Sequence, residues 1–196
     1  IKAAPVLWTQ QCAHEGTFRA VVLNSGGANA CTGPAGFADT HHTAEHVAAA
    51  LGVAPIEVAV CSTGLIGKRL PMHELLHGVD SAVAELSPEG GLDAAQAIMT
   101  TDSVAKTSTY ESIAGWKVGG MAKGAGMLAP GLATMLVVIT TDATVDAELA
   151  NSVLRQATDV TFNRIDSDGC MSTNDTVLLL ASVSYTHLRA HETRED

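Results

Sequence analysis

A threonine, Thr134, stands where a glycine-rich stretch gives way to a run of apolar residues. Gly124, Gly126 and the pair Pro130–Gly131 precede it, and the run Met135–Ile139 that follows has the length and β-branching of a buried strand. A strand can fix the position of a hydroxyl, while glycine lets the preceding backbone bend and be approached closely. The pattern therefore places Thr134 where a nucleophile could be held.

Two interpretations of Thr134 follow from these residues alone. In the first, Thr134 is a β-forming residue that begins a strand. In the second, its hydroxyl attacks the carbonyl of Ala133, cleaves the Ala133–Thr134 bond and exposes a new α-amine. That amine, with an ordinary pKa of about 7.7–8.0, can accept the hydroxyl proton near neutral pH and so activate the threonine.

An acyl transfer also needs hydrogen-bond donors for the oxyanion, and the sequence Ser62-Thr63-Gly64 is the candidate. It follows a predicted strand, and a tight turn there would expose the Gly64 N–H beside the Thr63 hydroxyl. Losing one such donor typically costs about 2.7–4 kcal/mol of transition-state stabilisation. The alternative is an ordinary turn, since serine, threonine and glycine are common in turns.

The hydrophobic pattern alternates between strands and helices, which predicts an α/β fold of layered sheets and covering helices. Periodicity alone does not choose between a doubly wound sheet and a sandwich. The predicted strands are residues 18–23, 57–61, 116–121, 134–140 and 176–181. The predicted helices are residues 39–51, capped by Asp39 or Thr40, 71–86, 92–99, and 146–164, capped by Asp146.

Composition limits the classes of partner. The 196 residues carry a formal charge of −10 and show no cluster of lysine and arginine, which argues against a nucleic-acid or anionic-membrane surface. We find no run long enough to span a membrane and no signal segment, so a cytoplasmic protein is expected. The four cysteines show no paired spacing, and we expect reduced, mostly buried thiols.

Four patterns resemble functional sites, and we interpret each of them as structural. The run Gly119–Gly126 lacks the G-K-[ST] of a phosphate loop. His42 and His46 have the spacing of metal ligands on a helix but are expected to face solvent. The segment Asp166–Gly169 begins like a calcium loop but lacks the distal glutamate. Cys61 is expected to pack as a small apolar residue.

Five longer motifs together resemble the bifunctional ornithine/glutamate acetyltransferase family of arginine biosynthesis, in that family's order, and extend to about residue 181. They are VVLNSGGANACTGPAGFADT (21–40), AVCSTGLIGKRLP (59–71), IMTTDSVAK (98–106), WKVGGMAKGAGMLAPGLATMLVVITTDA (116–143) and STNDTVLLL (172–180). The resemblance implies a layered sandwich of two mixed sheets flanked by helices, a fold shared with self-processing aminopeptidases. It also favours self-cleavage at Ala133–Thr134.

The resemblance implies roles for individual residues. Thr134 would be the catalytic nucleophile and would also contact substrate, and Thr63 and Gly64 would form the oxyanion hole. Thr100 and Lys123 would bind substrate. We add the hypothesis that Lys123 lowers the pKa of the Thr134 amine by like-charge repulsion.

The reaction implied is the transfer of an acetyl group from N-acetylornithine to glutamate through an acetyl-threonine intermediate. No resident cofactor is expected, and whether acetyl-CoA also serves as a donor stays open. The α- and β-chains cut from one precursor would assemble into a higher oligomer, without nucleic acid or membrane. The alternatives are a self-processing aminopeptidase of the same fold and an inactive structural fragment.

We expect residues 1–182 to be a partial acetyltransferase domain, with 1–133 in the α-chain and 134–182 beginning the β-chain. The segment 183–196 departs from the family pattern and is expected to be a foreign, unstructured tail. The family has a further substrate-contacting carboxylate and a polar cluster beyond the matched region, so we expect no dependable activity from this chain alone. The resemblance also implies that residues 166–174 lie near the site.

Overall fold

The computed structural model describes residues 1–129, 132–133 and 135–182, and helices alternate with strands through most of them. The α-helices are α1 (Ala4–His14), α2 (Gly33–Leu51), α3 (Met72–Ala84), α4 (Gly91–Ala97) and α5 (Ala147–Val160). The strands are β1 (Ala20–Asn24), β2 (Val58–Ser62), β3 (Lys106–Glu111), β4 (Lys117–Lys123), β5 (Leu128–Ala129), β6 (Leu132–Ala133), β7 (Leu136–Thr141) and β8 (Thr176–Ala181). Single turns of 3-10 helix precede β2 and follow α5, at Pro55–Glu57 and Phe162–Arg164.

The strands form two main sheets and one short antiparallel pair. β1 and β2 pair in parallel to form the smaller sheet. The larger sheet has the order β3-β4-β7-β8, in which the first three strands are antiparallel neighbours and β7 and β8 run parallel. β5 and β6 pair antiparallel over two residues each. Within the described residues, the larger sheet is therefore mixed and the smaller one is parallel.

The two sheets pack face to face through alternate residues of their strands. Ala59 and Cys61 of β2 contact Leu136 of β7 and Leu178 of β8, and all four side chains are buried. Successive strand residues point to opposite faces, so the neighbours of Ala59 and Cys61 in β2 face away from the larger sheet. The interface between the sheets is thus built from small and branched aliphatic side chains.

Helices cover the outer faces of both sheets. Val58 and Val60 of β2 pack with Trp8 of α1, Val47 of α2 and Val79 of α3. On the other side, Met135 and Val137 pack with Val177 and with Phe162, which follows α5. This order of helices, two sheets and helix confirms the layered α/β sandwich predicted for the chain.

Side chains of α1 cover the free edge of β2. The Thr9 hydroxyl donates to the Val60 carbonyl at 2.8 Å and accepts from the Val60 N–H at 2.9 Å. The Trp8 indole N–H donates to the Val58 carbonyl at 2.9 Å, where the Cys12 thiol also donates. These bonds satisfy backbone groups that a neighbouring strand would otherwise pair, and an unpaired strand edge favours aggregation.

The predicted start of α2 is wrong. The helix begins at Gly33, with Pro34 in its first turn, where proline's fixed φ favours helix initiation. Asp39 and Thr40, the predicted caps, therefore lie inside the helix. The Asp39 carboxylate instead accepts two hydrogen bonds from the Arg69 guanidinium.

Four described strands or helices were not predicted, and one further prediction needs correction. α1 has almost no apolar periodicity, and β3 is exposed along its whole length, so neither carries the pattern of a half-buried element. β5 and β6 are each only two residues long. The predicted strand 116–121 is confirmed as β4, with Gly119 and Gly120 inside it. The predicted helix 146–164 ends at Val160, and a turn of 3-10 helix follows it.

Other secondary-structure predictions are confirmed or partly confirmed. Asp146 caps α5, since its carboxylate accepts from the Leu149 N–H at 2.8 Å. Strands 57–61, 134–140 and 176–181 appear within two residues of their predicted bounds. However, the apolar side chains Leu149, Val153 and Val160 of α5 are all more than half exposed among the described residues.

Replacing Thr9 by valine should destabilise the protein by about 1–3 kcal/mol. The substitution keeps the shape of the side chain but leaves the Val60 N–H and C=O at the strand edge without their partner, at the cost of desolvated polar groups. The free energy of unfolding in urea measures the loss. Thr158→Val is the matched control, because the Thr158 hydroxyl bonds only to a carbonyl of its own helix and its loss should cost within about 0.5 kcal/mol. Equal stabilities of the two variants would contradict the role given to α1.

Candidate active site

The turn that follows β2 is held against the loop that follows β1. The Thr63 N–H donates to the Asn24 carbonyl at 3.0 Å, and the Leu65 N–H donates to the Gly26 carbonyl at 3.2 Å. Gly64, between them, has φ of +128°, in the region that favours glycine. A Cβ on Gly64 would overlap the backbone carbonyl group of Gly26. Both the close approach of the two loops and the backbone angle therefore require glycine here.

The last residue of β4, Lys123, joins two of the other predicted site residues. Its side-chain amine donates to the Thr100 hydroxyl at 2.7 Å and to the Thr63 hydroxyl at 3.1 Å. Lys123 is 2% exposed and Thr63 is 1% exposed, whereas Thr100 lies at the surface. The structure thus brings together residues from β4, from the turn after β2 and from the turn after α4, three of those to which the resemblance assigns roles.

A buried carboxylate, Asp102, stands beside this amine. One Asp102 oxygen accepts from the Gly124 N–H at 2.7 Å and from the Lys106 amine, and the other accepts from the Thr100 N–H at 3.3 Å. The Lys123 amine lies 3.8 Å from the same carboxylate. Asp102 was not assigned a role from the sequence, although it lies in the motif IMTTDSVAK (98–106) together with Thr100.

Burial and charge determine the ionisation of both groups. Burial has the largest effect on the Lys123 amine and lowers its pKa, and the nearby charge of Lys106 lowers it further. The negative charges of Asp102 and Asp175 raise the pKa, but not enough to restore the ordinary value for lysine. Burial raises the pKa of Asp102, but its hydrogen bonds from Lys106, Gly124 and Thr100 lower it more, to below the usual range.

These shifts have opposite consequences for stability. A lysine whose pKa is lower in the folded state opposes folding at neutral pH, and this cost disappears as the pH rises above the pKa of the unfolded chain. Asp102 contributes stability above its unfolded pKa, and the contribution is lost as the pH falls through its folded pKa. The folded site therefore disfavours the charged form of Lys123 and favours the charged form of Asp102.

Thr134 lies outside the described residues, but its flanks are described. Ala133, on the other side of the predicted cleavage site, belongs to β6, where it pairs with Leu128. The Met135 N–H, part of the peptide bond to Thr134, donates to the Asp175 carboxylate at 2.9 Å. In the sheet, Leu136 is the register partner of Lys123. The chain that follows Thr134 is thus paired with the strand that carries Lys123.

Asn174, which the sequence analysis placed near the site without a role, connects the two loops. Its side-chain amide donates to the Ala28 carbonyl at 2.6 Å and to the Ser62 carbonyl at 2.8 Å, and the residue is 3% exposed. Because Ser62 precedes Thr63, these bonds fix the backbone that leads into the Gly64 turn. The motif STNDTVLLL (172–180) contains Asn174, but asparagine is mostly a surface or turn residue, so its burial was not predicted.

The Asp166–Gly169 segment contacts the part of the chain that precedes β5. The Asp168 carboxylate accepts from the Met127 N–H at 2.7 Å, and Asp166 accepts from the Gly169 N–H at 3.0 Å. Among the described residues, no three acidic, histidine or cysteine side chains are grouped to hold a metal ion. Asp166 and Asp168 thus act as acceptors for backbone N–H groups.

The other patterns have structural partners. His42 is exposed, as predicted, and His46 is partly exposed, with its Nε2 2.6 Å from an Asp80 oxygen that links α2 to α3. Burial raises the pKa of the Cys61 thiol to about 12, which leaves little thiolate for a nucleophile. Cys12 is also buried, but Cys31 and Cys170 are exposed, so only two of the four thiols fit the prediction. In the described part of the chain, no helix has the length and apolar character needed to cross a membrane.

The sequence is similar to curated bacterial proteins over most of its length. An "Arginine biosynthesis bifunctional protein ArgJ" of Streptomyces coelicolor is 67% identical over 184 residues, which are 94% of this chain and 48% of that protein. The protein of the same name from Thermobifida fusca is 63% identical, with 93% and 47% covered. The chain spans about half the length of the curated relatives it matches.

Two solved structures share the fold. One is ornithine acetyltransferase from Mycobacterium tuberculosis complexed with ornithine, with 65% identity and a TM-score of 0.65 over 66% of this chain and 71% of that one. The other is arginine biosynthesis bifunctional protein argJ from Bacillus halodurans, with 36% identity and a TM-score of 0.60 over 69% and 72%. The model of the ArgJ family matches residues 1–195. With a match over almost every residue, the chain belongs to the ArgJ family.

Proposed function

We propose that this chain carries the nucleophile, the oxyanion donors and part of the substrate pocket of an acetyltransferase. The intact protein would move an acetyl group from N-acetylornithine to glutamate, a reaction of arginine biosynthesis. The names of the relatives and the ornithine bound to the Mycobacterium tuberculosis enzyme support this substrate class. The observation that carries the proposal is the Lys123 amine, hydrogen-bonded to both Thr63 and Thr100.

Lys123 and Thr100 fit the recognition of an amino-acid carboxylate. Both substrates carry an α-carboxylate, which binds best to a desolvated cation with hydroxyl donors around it. The Lys123 amine supplies the cation, and the exposed Thr100 hydroxyl accepts from it and keeps its own proton to donate. Substrate would thus approach the amine from the side of Thr100.

Thr63 and Gly64 fit the stabilisation of an oxyanion. The Thr63 hydroxyl accepts from Lys123, so its own proton is available to a second acceptor, and the bond to a cation polarises it. The Gly64 N–H follows directly in a turn whose backbone is fixed by the neighbouring loop. Donors held in place before the reaction lose no free energy to reorganisation in the transition state.

Thr134 is the proposed nucleophile, and it first attacks the backbone of its own chain. Its hydroxyl attacks the Ala133 carbonyl carbon, the C–N bond of that peptide breaks, and the nitrogen takes up a proton and becomes the free amine of Thr134. Water then hydrolyses the resulting ester and leaves the Ala133 carboxylate and the Thr134 hydroxyl. After the cut, β7 would stay paired with β4, so the α- and β-chains would remain together in one sheet.

The transfer then uses the same hydroxyl with the new amine as its base. The amine accepts the hydroxyl proton as Thr134 attacks the acetyl carbonyl of N-acetylornithine, and it returns a proton to the departing α-amine of ornithine. Glutamate's α-amine next attacks the acetyl-threonine ester and leaves as N-acetylglutamate. These reaction steps need no resident cofactor. Acetyl-CoA could also deliver the acetyl group to the same hydroxyl. We assign the reaction to the cytoplasm.

Replacing Thr134 by alanine in the intact protein should abolish both cleavage and transfer. Mass spectrometry should find wild type as two chains, one ending at Ala133 and one beginning at Thr134, and Thr134→Ala as one chain. Wild type, mixed with N-acetylornithine and glutamate, should form N-acetylglutamate, and the variant should form none. Thr134→Ser should retain some cleavage, because a hydroxyl remains.

Thr140→Ala is the matched control for this test. Thr140 lies on β7, is exposed, and its hydroxyl makes only a long 3.4 Å bond to the Gly119 carbonyl. It should cleave and transfer like wild type. An intact wild-type chain, or normal turnover by Thr134→Ala, would refute the proposal.

Replacing Gly64 by alanine should lower kcat by about 10²–10³-fold, the effect of losing one oxyanion donor. The new Cβ has no room beside Gly26, so the turn must move. Gly67→Ala is the matched control, because Gly67 also has a positive φ, +81°, but no atom lies within 4 Å of the position that a Cβ would take there. Initial rates should separate the two variants; a similar kcat for both would show that the Gly64 turn has no catalytic part.

A further inference from the structure

Asp102 is a buried charged group that the proposed reaction does not use. Its side chain has no exposed surface, yet it reaches four groups of the site. It accepts from the Thr100 N–H, the Gly124 N–H and the Lys106 amine, and the Lys123 amine lies 3.8 Å from it. A carboxylate this deeply buried is costly unless it is paired, and here each contact involves a segment that forms the site.

We propose that Asp102 is a positioning residue, which holds Thr100 and Lys123 together and supplies the negative charge that keeps the buried Lys123 amine cationic for the substrate carboxylate. The inference rests on the proposed function, because it names the residue that prepares the carboxylate-binding pair. It assigns Asp102 no contact with substrate.

The hydrogen bonds of the Asp102 carboxylate join two separate segments of the site. Thr100 lies in the turn after α4, and Lys123 ends β4, so nothing in the local chain fixes one relative to the other. The Asp102 carboxylate binds the backbone N–H of Thr100 and the N–H of Gly124, the residue directly after Lys123. One side chain therefore connects the two backbones that carry the pocket's hydroxyl and amine.

Three charged side chains face the Lys123 amine. These are the carboxylate of Asp102 in the turn after α4, the amine of Lys106 on β3, and the carboxylate of Asp175 before β8. Asp102 and Asp175 favour the protonated amine, and Lys106 disfavours it. Removing Asp102 and removing Lys106 should therefore shift the protonation of Lys123 in opposite directions.

Three variants of the intact protein test this arrangement through the KM for N-acetylornithine, measured from neutral to alkaline pH. Asp102→Asn keeps the shape of the side chain but removes its charge. Lys106→Met removes the positive charge that disfavours the protonated Lys123 amine. The Lys106 side chain is 43% exposed, so the variant should fold. Asp39→Asn is the matched control, since Asp39 is a buried carboxylate of α2 paired with Arg69. Any titration of the substrate is common to all the proteins, so only differences between them matter.

We expect Asp102→Asn to raise KM by about 30-fold or more at neutral pH, the low end of the cost of removing one partner of a buried charge pair. The variant should also move the alkaline rise of KM to lower pH. Lys106→Met should move that rise to higher pH, and Asp39→Asn should leave it in place. A role in folding alone would not produce shifts of opposite sign.

Shifts in the same direction, or an Asp102→Asn profile like that of Asp39→Asn, would overturn the inference. If Asp102→Asn does not fold, Lys106→Met decides the matter, and an unshifted profile there would equally overturn it. A wild-type protein that transfers no acetyl group would refute the proposed function instead, so the two failures are distinguishable.

Discussion

The burial of one amine, that of Lys123, is the constraint on which the rest of the site depends. A cation removed from water costs several kcal/mol unless other groups replace the lost hydration. Here the replacement comes from two threonine hydroxyls and from the nearby carboxylate of Asp102. Because Thr63 is distant in the sequence from Thr100 and Asp102, and both groups are distant from Lys123, the amine can be accommodated only when the β2 turn, the α4 turn and the end of β4 are all in place.

The layers of the fold make that arrangement rigid. In the smaller sheet, β2 leads into the turn that carries Thr63 and Gly64, and in the larger sheet β4 ends at Lys123. The two sheets pack against each other through Cys61 and Leu136. Asn174 ties the β1 and β2 loops to the start of β8. Groups fixed in this way by strands and by buried hydrogen bonds are already oriented before substrate arrives, which is where most electrostatic catalysis originates.

The sequence predicted those parts of the molecule that have a local pattern. Apolar runs marked β2, β7 and β8, Asp146 marked the start of α5, and the S-T-G turn marked Gly64. The family motifs added Thr100 and Lys123, which the structure brings into contact with Thr63. The predicted strands and the helix cap share one cause, which is that each depends on neighbouring residues in the chain; the roles of Thr100, Lys123 and Gly64 stay predictions.

The parts that sequence analysis missed depend on distant contacts. Asn174 bonds to carbonyl groups of two distant loops, and Asp102 joins its near neighbours Thr100 and Lys106 to the distant Gly124. Both residues lie within family motifs, but the motifs alone do not give these long-range contacts. α1 was missed because its polar side chains face a strand edge, where Thr9 pairs with Val60, so an apolar stripe is not needed. The extended α2 was missed because Asp39, an apparent cap, is held by Arg69 within the helix.

The central claim is that Lys123 is a buried amine whose ionisation is set by the groups around it. An NMR titration of the protein labelled in its lysine side chains tests this directly, with the Lys123 signal assigned by its loss in Lys123→Met. We predict that this signal titrates below the pKa of a lysine in a free peptide, because burial disfavours the charge. A signal that titrates at or above that ordinary pKa would contradict the account.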